Sequence, residues 1–295
     1  MTRLSLPMRA AMMMTICCAF IALSTFFAKV LGRGVGESAG MAVFQISWGR
    51  YLFALLALLP FALWHRISLA GAPLGLYGAR AACGYGGVTC MFAAAAVIPL
   101  ADATAISFLN PVFAMFLAIL FLGEKVGPVR WGAAAIALTG GVLLIRPGFG
   151  ALRPEALIAL LAAGFMATEI IFAKLLARRE TVLRLLIITN MIALSIATVA
   201  VLFVWRAPTL AEWGVMILVG VSMVIAQALF MATIRVTDAS FATPFFYATL
   251  IFATAYDALW FREFPQALSI AGGVLIVGGA VVLAIRDGRR SRADA

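Results

Sequence analysis

The chain is a succession of apolar runs separated by short polar punctuation. A run of about 20 apolar residues is the length that crosses a bilayer core as a helix. Such runs recur along the whole sequence, with breaks at charged residues, proline and glycine. They predict ten spans, at 10–31, 41–63, 75–98, 102–122, 129–145, 154–176, 183–205, 211–234, 239–260 and 266–285. The intervening loops are short, which suits a compact helical bundle. The fourth and ninth spans follow closely on the helix before them, and each holds an internal proline, Pro111 and Pro244.

Composition turns that pattern into a class. Of the 295 residues, 65% are hydrophobic and 12% charged, against about 25% charged in an ordinary soluble domain. So few charges cannot cover the surface of a water-soluble fold. A soluble enzyme, a disordered chain and a nucleic-acid-binding domain are therefore excluded as the main reading. Ten spans also leave no room for a sizeable soluble domain, so the protein works within the bilayer.

The net charge of +10 reads as a topology signal, because the basic residues sit at the ends of the spans. With the N-terminus inside, thirteen Lys and Arg residues face the cytoplasm, among them Arg66, Arg178, Arg179 and Arg286. Five face outward: Arg33, Arg146, Arg153, Arg206 and Arg262. This asymmetry places both termini in the cytoplasm. Lys29, Arg50, Arg80 and Lys174 fall within spans or at their edges. Arg3 and Arg9 resemble the basic start of a signal peptide, but no small-x-small cleavage site follows, so the first span is expected to be retained. Cys17, Cys18, Cys83 and Cys90 lie in apolar runs without the spacing of a zinc or disulfide framework.

The two halves echo each other. The first reads Asp102-Ala through Asn110-Pro111 to Gly123-Glu124; the second reads Asp238-Ala through Pro244 to Arg262-Glu263. A Gly-rich span ending in arginine, Arg146 or Arg286, follows each. With five spans per half, the copies must insert upside down relative to one another. Inverted repeats are a transporter architecture, in which two related halves rock about a central site.

These stretches resemble the drug/metabolite transporter superfamily, of the EamA type. The resemblance is carried by Pro99-Leu-Ala-Asp-Ala-Thr-Ala-Ile-Ser-Phe-Leu-Asn-Pro-Val-Phe113, Leu122-Gly-Glu-Lys-Val126, Arg130-Trp131 and Gly141-Val-Leu-Leu-Ile-Arg-Pro-Gly148. Ala242-Thr-Pro-Phe-Phe-Tyr247 and Phe261-Arg-Glu-Phe-Pro265 carry it in the second half. Arg50 and Arg80 sit where members often have arginine. Arg262 departs from the pattern, since many members have glycine before that glutamate; a loop effect is expected. The resemblance spans nearly the whole chain. It implies a fold and a transport activity, but not a substrate: members carry amino acids, nucleotide-related metabolites, riboflavin, S-adenosylmethionine and other solutes.

Charges at bilayer depth are costly, so each is a functional candidate. Arg50 lies well inside the second span, where it either binds backbone carbonyls or receives a substrate carboxylate. Arg80 is nearer the cytoplasmic end of the third span and either snorkels or binds a carboxylate. Glu169 is the deepest carboxylate. Its alternatives are proton coupling or amine binding, and an internal ion pair with Arg50 or Lys174. Asp257, near the outer end of the ninth span, is expected to be wet. Asp102 and Asp238 read as helix N-caps, and Glu124 and Glu263 as structural loop residues. Gln45, Asn110, Asn190 and Gln227 either bond across helices or line a cavity. Trp48, Tyr85, Phe108 and Tyr247 are candidate cavity walls, with plain packing as the alternative. Trp64, Trp131, Trp205 and Trp213 read as interfacial anchors. Pro111 and Pro244 are candidate hinges. Gly84-Tyr85-Gly86-Gly87 reads as a small face for close helix packing.

A membrane enzyme is disfavoured, because His65 stands alone and no Gly-x-Ser-x-Gly nucleophile is present. A channel fits an inverted repeat poorly. The expectation is therefore an all-α membrane protein of ten transmembrane helices, arranged as two inverted five-helix repeats, 1–147 and 148–295. It is a secondary transporter of small metabolites in a bacterial-type inner membrane, working by alternating access. The leading cargo is an amino acid or related solute, exported; the alternative is import of a larger metabolite such as riboflavin or S-adenosylmethionine. The partners expected are a small-molecule substrate and the lipid bilayer, with no nucleic acid, cofactor or metal, and a monomer as the simplest state.

Overall fold

The computed structural model describes residues 6–36, 38–68, 71–122, 128–145, 154–177, 180–236 and 248–264, together with 267, 270–275 and 277–278. Among the described residues all regular structure is helical. A chain in hydrocarbon must satisfy its backbone internally, and helices do so within one segment. The helices are α1 (Leu6–Arg33), α2 (Val43–Trp64), α3 (Leu74–Val97), α4 (Leu100–Ser107), α5 (Asn110–Leu122), α6 (Pro128–Ile145), α7 (Pro154–Ala177), α8 (Val182–Val201), α9 (Leu210–Val236) and α10 (Ala248–Tyr256). A π-helical turn, Asp257–Phe261, continues α10. Six segments among the described residues are long and apolar enough to cross a membrane: Met12–Arg33, Val43–Trp64, Leu100–Phe121, Glu155–Ala173, Val182–Val201 and Leu210–Phe230.

The predicted fourth span is not one continuous helix. It breaks at Phe108 and Leu109, and α5 starts at Asn110. The cause is Pro111, which lacks the N–H that would donate to the carbonyl of Ser107 four residues earlier and whose ring crowds that carbonyl. The local backbone closes instead through Phe108 N to Ala105 O (3.1 Å) and Leu109 N to Ile106 O (3.0 Å). The seventh span is also shorter than predicted, since α8 ends at Val201 and a turn covers 202–204. Residues 237–247, which include Asp238, Pro244 and Tyr247, lie outside the described residues, as do Glu124 and Arg146.

Helix pairing runs mostly between the two predicted halves. Helix α1 packs on α9, α2 on α8 and α9, and α3 on α7. Small residues set these approaches. A Cβ on Gly220 would stand 2.5 Å from Phe53 Cβ and 3.0 Å from Ala54 N, and one on Gly49 would overlap Met216 Cε. The glycines of α3 work as expected from sequence: a Cβ at Gly86 would meet the Phe165 ring at 3.3 Å, and one at Gly87 would meet Met166 Cγ at 3.2 Å. Alanines fill the core between α3, α4 and α7, with Ala94, Ala95, Ala103, Ala159, Ala162 and Ala163 all buried.

One end of the bundle is stapled by polar groups. Glu212 accepts from Thr209 N (2.8 Å) while Thr209 Oγ1 accepts from Glu212 N (3.3 Å). This reciprocal capping box starts α9. Arg206 binds the buried Glu212 carboxylate with two nitrogens, and Ser38 Oγ donates to it at 3.0 Å.

Candidate functional site

One set of charges in the interior lies among helices α2, α3, α7 and α8. Arg80 Nη2 donates to Glu169 Oε1 at 3.2 Å, and Arg80 Nη1 donates to Thr189 Oγ1 at 2.6 Å. Of the two alternatives for Arg80, snorkelling does not fit: it is 9% exposed and is held by α7 and α8. The Glu169 carboxylate pairs with Arg80, a partner not among the sequence alternatives Arg50 and Lys174. The geometry behind this is local. Gly84 lies one turn along α3 from Arg80, and the Glu169 carboxylate sits over it, with a virtual Gly84 Cβ only 3.2 Å from Glu169 Cδ. A side chain at 84 would displace the acceptor that Arg80 needs. The Glu169 side chain keeps 29% exposure.

Arg50 is 6% exposed, its guanidinium carbon stands 4.6 Å from the Tyr51 ring centroid, and its Nη1 has no hydrogen-bond partner. Tyr51 in turn lies 6.2 Å from Tyr85, ring to ring, and within electrostatic reach of both Arg50 and Glu169. The cluster therefore holds two guanidiniums, one carboxylate and two phenols in the interior of apolar helices. Among the described residues Arg50 Nη1 is thus a buried donor left unmade, which is costly.

The other sequence candidates are distributed differently. Gln45 Nε2 donates to Arg206 O at 2.7 Å and Arg206 N donates to Gln45 Oε1 at 3.4 Å, which spends this amide on the loop before α9. Trp48 Nε1 donates to Thr198 Oγ1 at 3.1 Å, and its ring meets Trp205 edge-on at 5.3 Å and Trp213 at 6.3 Å. Trp205 and Trp213 thus form one aromatic group with Trp48. Asn190 Nδ2 donates to Leu186 O on its own helix at 2.8 Å. Gln227 Oε1 is buried without a partner. Asn110 is the first residue of α5. The side chains of Pro111 and Lys174 lie outside the described residues, as do Pro244 and Tyr247.

A second buried charge cluster escaped the sequence reading. Lys29 Nζ donates to Asp257 Oδ2 at 2.8 Å and to Glu263 Oε2 at 2.7 Å, and Arg33 Nη1 donates to Glu263 Oε1 at 2.6 Å. Lys29 is 0% and Asp257 1% exposed, so the expectation of a wet Asp257 is corrected: α1 covers it. Asp257 Oδ2 also accepts the N–H of Leu100, the first residue of α4. The reading of Asp102 as N-cap is corrected as well. Pro99 holds the cap position without a side-chain bond, Asp102 sits in the first turn, and the carboxylate arrives from α10. Glu263 lies in the loop after the π turn. Burial pushes its carboxyl up, but the bonds from Lys29 and Arg33 outweigh that and hold it below its ordinary range. One signal was available in sequence: Lys29 and Asp257 each interrupt an apolar run.

The profile of the EamA-like transporter family matches residues 8–146 and again 153–285. The chain is 26% identical to an S-adenosylmethionine uptake transporter of Rickettsia bellii over 235 residues, covering 79% of this chain and 81% of that one. It is 29% identical to the pseudopaline exporter CntI of Pseudomonas aeruginosa over 202 residues, 66% of this chain and 70% of that one. It is 26% identical to a riboflavin transporter of Brucella anthropi over 287 residues, 95% and 99% of the two chains. A protein of known crystal structure superposes with a TM-score of 0.65 at 18% identity, over 95% of this chain and 96% of that chain.

Proposed function

The chain belongs to the EamA-like transporter family, and we propose that it is a secondary transporter that moves a small metabolite across a bacterial-type inner membrane by alternating access. In this reading it spans the membrane ten times, as two inverted five-helix halves, 1–147 and 148–295, with both termini in the cytoplasm. The halves rock about the charge cluster on α2, α3, α7 and α8, with Pro111 and Pro244 as hinges. A monomer suffices for this.

The observation that carries the reading is the Arg80–Glu169 pair, with Arg80 buried and Glu169 partly so, in one cluster with Arg50, whose Nη1 has no partner among the described residues. Charge at this depth is tolerated where it faces protein or a wet cavity. A zwitterionic amino acid complements it: its carboxylate suits Arg50, and its ammonium suits Glu169. Export of amino acids or related solutes is therefore the leading assignment. The second reading is import of a larger metabolite. It is favoured by relatives named as S-adenosylmethionine and riboflavin transporters that align over most of this chain.

Reconstituted vesicles separate the two. Radiolabelled amino acids, riboflavin and S-adenosylmethionine are offered to proteoliposomes. Saturable flux of amino acids, with resistance of expressing cells to toxic amino-acid analogues, supports the first reading. Saturable flux of riboflavin or S-adenosylmethionine alone supports the second. No flux of any solute from correctly inserted protein overturns both.

A further inference from the structure

We propose that the Lys29–Asp257–Glu263–Arg33 cluster is a gate latch, which shuts one end of the bundle and must part for that end to open. The inference rests on the transporter reading but on none of the residues assigned to cargo. Its first support is placement. Lys29 and Arg33 lie on the last turns of α1, whereas Asp257 and Glu263 lie at and just beyond the end of α10. The cluster therefore joins the first predicted half to the second, and through Asp257 and Leu100 it also fixes the start of α4.

The second support is energetic. A buried ion pair is no better for stability than well-packed apolar residues. Apolar material is abundant here: Phe26 already packs against Tyr256, Trp260 and Phe261. Charge at 0% and 1% exposure is thus better explained by a contact that must be made and broken. The cluster grades outward, from fully buried Lys29 and Asp257 to Arg33 and Glu263 at 30% and 28% exposure, which gives water a route in. Asp257 Oδ1 is buried without a partner, so the closed state is not fully satisfied.

The third support is the backbone. The carboxylates sit at a π turn followed by Arg262 in left-handed conformation at φ 56°. Isolated π turns concentrate at functional sites. A non-glycine residue held in that conformation is strained.

The sequence repeats the arrangement. Phe27-Ala-Lys29-Val-Leu-Gly-Arg33 is matched by Phe172-Ala-Lys174-Leu-Leu-Ala-Arg178, and Glu263 by Glu124 in the parallel between the halves. Residues 124 and 178 lie outside the described part of the structure, so this parallel is one of sequence. If the halves are inverted as proposed, the second set falls at the other end.

Spin-label distances test the latch directly. In full-length protein with its four cysteines replaced, one label pair at Ala39 and Leu259 reports the latched end. A second pair at Leu63 and Thr181 reports the opposite end, where α2 meets α8. All four positions are exposed. Glu263→Gln is expected to add a longer component at the first pair and to shorten the second, while Glu263→Asp keeps both distributions as in the parent. Unchanged distributions in Glu263→Gln overturn the latch. So does broadening at both ends alike, which is what loss of a purely structural staple produces. The distances are read without cargo. A chain that moved in this way but carried nothing would refute the transport reading and leave the latch standing; a chain that carried solute with immobile distances would do the reverse.

Discussion

Asp257 caps a helix that begins 157 residues before it: its carboxylate accepts the N–H of Leu100 while it also holds Lys29. Two roles in one side chain can be separated by substitution. Asp257→Ala removes both and leaves the Lys29 ammonium short of a counter-charge. Breaking such a buried pair costs about 3 kcal/mol or more. Asp257→Asn removes the charge but keeps an amide oxygen for Leu100, and so is expected to recover about 1 kcal/mol, the usual worth of a cap. Thermal unfolding in detergent should rank parent above Asn above Ala. Equal loss in the two variants would remove the capping role.

The Arg80–Glu169 pair predicts a kinetic signature. Arg80→Lys keeps the charge but loses the fork that reaches Thr189 and Glu169 together. Its expected effect is a rise in KM of about tenfold, equivalent to 1.4 kcal/mol. Glu169→Gln keeps the shape but removes the counter-charge of Arg80, and is expected to lower flux. Flux measured against solute concentration in proteoliposomes checks both, and unchanged kinetics in the two variants would take the pair out of the site.

Two glycines on the α2–α9 contact should respond unequally. A Cβ on Gly49 meets the mobile end of Met216, whereas one on Gly220 meets Phe53 Cβ and the Ala54 backbone. A methionine tip can swing away and a backbone cannot. Gly220→Ala is expected to cost about 1–3 kcal/mol as overpacking, and Gly49→Ala visibly less. A reversed order in melting temperature would show that the helices slide to make room.

Glu263 lies outside the spans and predicts an acid limb. Its carboxyl is held low by Lys29 and Arg33. A depressed value means that the stabilisation is fully present above the unfolded carboxyl value and is lost as pH falls through the lower folded value. Melting temperature should therefore be insensitive to this group near neutrality and should fall in strong acid. Glu263→Gln should flatten that limb, and a limb of unchanged depth would assign it to other groups.

Arg262 is exposed and sits at φ 56°, a conformation that costs a residue with a side chain about 1 kcal/mol. Arg262→Gly should raise stability by about that amount, because the Arg262 side chain is exposed and makes no ion pair with the described residues. Differential unfolding of the two proteins decides it. The departure from the family pattern noted in sequence thus falls at a position whose backbone favours glycine.

The long spans were legible because membrane helices declare themselves by local composition alone. Helices α1, α2, α7 and α9 need no knowledge of their neighbours. Arg50, Arg80 and Glu169 were legible for the same reason, as charges where charge is costly. Their partners were not. Arg80 and Glu169 are 89 residues apart, and Lys29 and Asp257 are 228 apart, so only packing brings them together. Thr189 carries no signal at all, since a threonine in an apolar helix is ordinary until a guanidinium is placed beside it. Asp102 misled because the N-cap pattern is local, whereas the cap of α4 comes from another helix.

The cap on α4 also orders events during synthesis. Ribosomes deliver α1 and α4 long before Asp257 and Glu263 emerge. Until then the nascent chain holds a lysine ammonium lacking both carboxylates and a helix start with an open amide. The contacts of Lys29 and Leu100 are thus completed only when the segment around Asp257 and Glu263 has been made.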